Sequence, residues 1–62
     1  MNKKIKDFLS LNGPSYTKDI YRKVGAKSTG LSLNKFRKIL NDMCKENEIL
    51  YINEDYPKWS KK

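Results

Sequence analysis

Five hydrogen-bond donors recur along the segment Ser32 to Lys45, SLNKFRKILNDMCK: Asn34, Arg37, Lys38, Asn41 and Lys45. None is negatively charged, and a guanidinium, two ammonium groups and two carboxamides together suit a partner rich in acceptors. Read as a helix at about 100° per residue, the segment places these five on one side. Phe36, Ile39, Leu40 and Met43, at i, i+3, i+4 and i+7, form an apolar stripe on the other. Such a face does recognition chemistry. Arg37 can pair with guanine in bidentate fashion, Asn34 or Asn41 can read adenine, and Lys38 and Lys45 suit phosphates. An ordinary solvated face is the alternative, but such faces usually carry both signs of charge. Here the single acid, Asp42, falls on the flank.

Bond-making chemistry finds little support. The chain has no histidine and one cysteine, Cys44. The usual general base is missing and no nucleophile has an evident partner, so an enzyme is not expected. A finger-type zinc site and an internal disulfide are excluded, and the acids lack EF-hand spacing; no metal or cofactor is expected. Cys44, near the edge of the stripe, reads as packed. Lys27-Ser28-Thr29-Gly30, just ahead of the segment, could bring backbone amides and Lys27 to a phosphate. It lacks the P-loop order, and a flexible connection is an equal reading.

The formal net charge is +7 and the pI about 9.7. That balance favours polyanions, nucleic acid first, although lysine-rich usage alone produces part of it. Residues 1–31 carry +5, with Lys3, Lys4 and Lys6 clustered near the start, and residues 32–62 carry +2. The local exception is Glu46 to Tyr56, with Glu46, Glu48, Glu54 and Asp55 and no Lys or Arg. Phosphate would repel this stretch, so it either points away from a duplex or meets a protein. Tyr51, Tyr56 and Trp59 accompany it. These rings either stack on unpaired bases or, as Trp59 does in the simpler reading, pack the domain together.

These residues need a scaffold. A chain of 62 residues is one domain, burying only about 60% of its unfolded surface. Ile5, Phe8 and Leu9 predict a first helix over 3–11, stopped by Asn12-Gly13-Pro14. Pro14-Ser15-Tyr16 is short and extended. Thr17 reads as the N-cap of a second helix over 18–24, with Asp19 in its first turn, Ile20 and Val24 on one face and Gly25 as its stop. After the loop 25–31, Ser32 caps the third helix, which runs to about Glu46, with Asn47 as a left-handed terminator. Ile49 to Ile52 predicts a strand, 53–57 a turn, and 58–60 a return strand. The apolar runs are too short to span a membrane, and MNKKIKDFLSLNG makes a poor signal peptide.

The order helix, brief strand, helix, loop, helix, hairpin resembles the winged helix-turn-helix fold, an α+β (mostly α) class with a C-terminal wing. The resemblance implies a third helix in the major groove and a wing against the backbone or minor groove. From Leu33 to Trp59 the chain is also similar to the Z-alpha domains, winged helices that bind left-handed Z-form DNA and RNA. Phe36, Ile39, Leu40 and Met43 match that family's core positions. Tyr56-Pro57-Lys58-Trp59 keeps the second proline and the tryptophan of its Pro-Pro-x-Trp element. Leu33 stands at the family's helix-three lysine, Arg37 at its asparagine, and Asn41 at the tyrosine that packs on a syn base. The loop 25–31 is longer than that family usually has. Pro57 and Trp59 are the positions that carry over.

The expectation is therefore a small winged helix that binds double-stranded DNA, as a transcriptional regulator or a recombination or accessory factor. Asn34, Arg37, Lys38 and Asn41 would enter the major groove, Lys27, Lys45 and Lys58 would contact phosphates, and Trp59 would support the wing contact. Z-form binding is an alternative. Another is a protein-interaction module, such as a phage or viral inhibitor, that uses the acidic-aromatic wing. A monomer or homodimer in the cytoplasm, or in the nucleus of a eukaryotic or viral host, fits each reading.

Overall fold

A computed structural model describes residues 1–62. The chain forms α1 (Asn2–Asn12), β1 (Ser15–Tyr16), α2 (Thr17–Lys23), a 3-10 turn (Lys27–Thr29), α3 (Leu33–Lys45), β2 (Ile49–Ile52) and β3 (Lys58–Lys61). This is the winged-helix arrangement: three helices closed on one side by an antiparallel sheet of order β1-β3-β2. Ser15 pairs with Trp59 and Tyr16 with Lys58, while Tyr51 and Ile52 oppose Trp59 and Lys58 from the other side. No helix is long and apolar enough to cross a membrane.

Helices α1 and α3 are bounded by local signals. Gly13 (φ 73) stops α1, its N–H donating to the Leu9 carbonyl at 2.9 Å. The Ser32 hydroxyl accepts from the Lys35 N–H at 3.3 Å and caps α3, as its residue type predicts. Asn47, the one non-glycine residue with positive φ (61), terminates α3, and the Glu48 N–H closes back on the Met43 carbonyl at 2.9 Å. Thr17 departs from expectation. Strand β1 runs straight into α2, so Tyr16 is the capping position and Thr17 the first helical residue, with no side-chain cap. Its hydroxyl instead accepts from the Trp59 indole N–H at 2.8 Å. The loop 25–31 is also more ordered than a flexible connection: Ala26 is fully buried, and the Thr29 hydroxyl donates to its carbonyl at 2.8 Å.

All three helices supply the core. Ile5 and Leu9 come from α1, Ile20 from α2 with Val24 just beyond it, and Phe36, Leu40 and Met43 from α3. Ala26, Ile49 and Trp59 complete it. The Tyr21 ring meets Phe36 edge-on at 5.4 Å, and its hydroxyl donates to the Leu31 carbonyl. That contact ties α2 to the entry of α3, and so sets where the donor face of α3 lies. Lys6 pairs with Glu48 at 2.6 Å, joining α1 to the segment before β2.

Candidate nucleic-acid interface

A groove of about 360 Å³ lies between α3 and the hairpin, lined by Thr17, Arg37, Asn41, Tyr51, Pro57 and Trp59. Its floor is Trp59, only 4% exposed and held by the hydrogen bond to Thr17. Tyr51 lies opposite Trp59 in the strand register. Their ring centroids are 4.7 Å apart and the planes tilted by 53°. Trp59 is thus held from both flanks, while Tyr51 stays 45% exposed. Arg37 and Asn41, one helical turn apart, form the other wall. Both are exposed, and Arg37 makes no ion pair; the salt bridges of the chain are Lys6–Glu48 and Arg22–Asp19. Pro57, at the mouth, brings no N–H. The groove therefore offers an unpaired guanidinium, a carboxamide and an aromatic surface, and no carboxylate.

Three of the eight expected residues meet here: Arg37, Asn41 and Trp59. Asn34, Lys38 and Lys45 are exposed on α3 but lie about 60 to 100° around the helix from Arg37. Lys27 is exposed in the 3-10 turn ahead of α3. Lys58 is on the opposite face of the sheet from Trp59, its ammonium 5.3 Å from the centre of the Tyr16 ring. Leu33 borders a different hollow, beside Lys18, Asp19, Tyr21 and Arg22. Among the residues that complete the groove, Tyr51 and Pro57 were visible as a hairpin aromatic and a wing-motif proline. Thr17 carried no such signal, because its link to Trp59 spans 42 positions.

The acidic stretch is kept apart. Glu54, Asp55 and Tyr56 line a second cleft, of about 430 Å³, with Tyr16 and Lys58. It shares no residue with the groove. Strand alternation explains the division. Trp59 and Tyr51 project to one face of the sheet, and the adjacent Lys58 and Tyr16 to the other.

Fold and groove together define a winged helix with a polar, partly aromatic groove between its third helix and its wing. Solved structures of the same fold include the Zα domain of PKZ from Carassius auratus in complex with Z-DNA. That chain has a TM-score of 0.80 and 28% identity, with 98% of this chain and 90% of that one covered. The apo Zα domain of zebrafish PKZ has a TM-score of 0.74 and 22% identity, with 97% and 88% covered. No protein-family model and no curated protein sequence matches the chain.

Proposed function

We propose that the chain binds double-stranded nucleic acid through the groove between α3 and the hairpin, with the left-handed Z-form as its preferred ligand. One observation carries this reading. Pro57 and Trp59, which keep the Z-alpha wing element, line a single groove with Arg37 and Asn41, which stand where that pattern has an asparagine and a tyrosine. The overall fold also follows a domain solved with Z-DNA over nearly its full length. In this groove Arg37 bonds a phosphate and Asn41 bonds backbone or base-edge atoms. Asn41 brings no ring, but Tyr51 projects one into the same groove from β2. Its exposed face meets a base, and base–aromatic contacts contribute about 1–3 kcal/mol each. Binding of this kind acts by occupying a site, as a regulator or accessory factor does.

Circular dichroism of an alternating d(CG) duplex tests the proposal. Inversion of the duplex spectrum on adding protein is the expected result, and binding with no inversion would remove the Z-form preference. A second reading, a right-handed duplex read in its major groove by α3, draws on the exposed, acid-free set Asn34, Lys38 and Lys45. Affinity for a random-sequence duplex that falls steeply with salt, without spectral inversion, is its signature.

A further inference from the structure

The free edge of β2 and its acidic surroundings suggest a second binding surface. Strand β2, Ile49-Leu50-Tyr51-Ile52, is an outer strand of the sheet. It pairs only with β3, so alternate N–H and C=O groups along its other edge face outward. Edge strands are commonly blunted by lysine, proline or a bulge. This one has none of these, and Leu50 and Tyr51 are close to half exposed.

Charge indicates what pairs with it. Residues 46–57 contain four acids and no Lys or Arg, hence −4. The rest of the chain holds all 14 basic side chains and three acids, hence +11. The acids bracket the strand: Glu46 and Glu48 precede it, and Glu54 and Asp55 follow it. Glu48 is satisfied by Lys6, whereas Glu46, Glu54 and Asp55 make no ion pair. A second copy of the chain is disfavoured, because antiparallel pairing of β2 with itself brings the acids before one strand against those after the other. At the hairpin tip, Glu54 and Asp55 line the cleft with two tyrosines, Tyr16 and Tyr56. Lys58 itself occupies the Tyr16 ring face, so the unpaired charge that the tip offers a partner is that of Glu54 and Asp55.

We infer that β2 docks an extended segment of a partner protein by strand addition, the segment having an apolar centre and Lys or Arg at its ends. Backbone pairing to β2 supplies affinity, Leu50 and Ile52 contact the central side chains, and the unpaired acids Glu46, Glu54 and Asp55 that flank the strand attract the basic ends. This inference stands independently of nucleic-acid binding.

The experiment is an amide-resolved NMR titration of the 62-residue chain with acetyl-Lys-Arg-Val-Thr-Val-Arg-Lys-amide. Three comparison arms use the same peptide with Glu at every basic position, the same peptide N-methylated at both valines, and a Glu54→Lys/Asp55→Lys double variant. Both acids are exposed and outside the core, so the variant keeps its fold, which its unperturbed α1 amide shifts verify. Expected are shifts at residues 48–56, slowed amide exchange in β2, and binding about ten-fold weaker in each of the three arms. Absence of shifts, equal binding of the acidic or N-methylated peptide, or self-association of the chain through residues 49–52 would overturn the proposal. Retained d(CG) binding by the double variant keeps this result separate from the fate of the nucleic-acid reading.

Discussion

The two sides of the hairpin are built from adjacent residues and have opposite characters. Trp59 and Tyr51 face α3 and form a groove with Arg37 and Asn41 that holds no acid. Lys58, one residue before Trp59, faces the other way, beside Tyr16, Glu54 and Asp55. Local charge on a domain this small therefore departs from its net charge. A chain at +7 carries an acidic cleft that shares no residue with the acid-free groove, and strand alternation sends Lys58 and Tyr16 to the face away from Trp59 and Tyr51.

The strongest perturbation of this arrangement is Trp59→Ala, which removes the floor of the groove and a core residue of the central strand. Deleting a buried tryptophan costs about 3–5 kcal/mol. A domain of this length has a total stability of roughly 3–9 kcal/mol. The variant should be largely unfolded near physiological temperature, as read by thermal circular dichroism; a cooperative melt close to the parent's would mean that Trp59 does not anchor the sheet to the core. Next comes Tyr51→Ala, which should leave the fold intact and weaken nucleic-acid binding by about ten-fold or more. Tyr51→Phe should restore most of it, since the ring face and not the hydroxyl makes the contact; fluorescence anisotropy with a labelled duplex distinguishes the two.

Arg37→Ala sharpens the electrostatic half of the comparison. Affinity should fall by about 1–3 kcal/mol, and the slope of log affinity against log salt should become shallower by about one. Thr17→Val leaves the indole N–H of Trp59 without its acceptor. That should cost about 1 kcal/mol of stability, a drop of several degrees in Tm by calorimetry. The smallest effect is expected for Glu54→Lys/Asp55→Lys on nucleic-acid affinity, a change of less than about three-fold at physiological ionic strength. A gain much larger than that would show that the acidic side is not electrically separate from the groove.

Much of the fold was legible because it follows from short-range rules. The stripe Phe36, Ile39, Leu40, Met43, the Ser32 cap and the Asn47 terminator specify α3 without reference to the rest of the chain. Two local details were not legible. Thr17 has the residue type of an N-cap, but β1 abuts α2 and its hydroxyl is engaged by an indole distant in sequence. The loop 25–31 read equally as a phosphate contact or a flexible connection, and nothing in its spacing showed that Ala26 anchors it in the core. Of the donor face, helical periodicity identified the residues but not their division, since it does not say which edge of the face meets the hairpin.

By itself, then, the sequence determined the element order, the apolar faces, the absence of acids on the exposed centre of α3 and the concentration of acids between 46 and 57. Each is a property of composition or of spacing within one element. The tertiary structure decided which donors share a groove. It brought Arg37 and Asn41 to Tyr51, Pro57 and Trp59, and left Asn34, Lys38 and Lys45 farther round the helix. The physical reason is that packing fixes the rotation of α3 against the sheet. Tyr21 on Phe36 and the shared burial of Phe36, Leu40 and Trp59 set that rotation, and no local pattern encodes it.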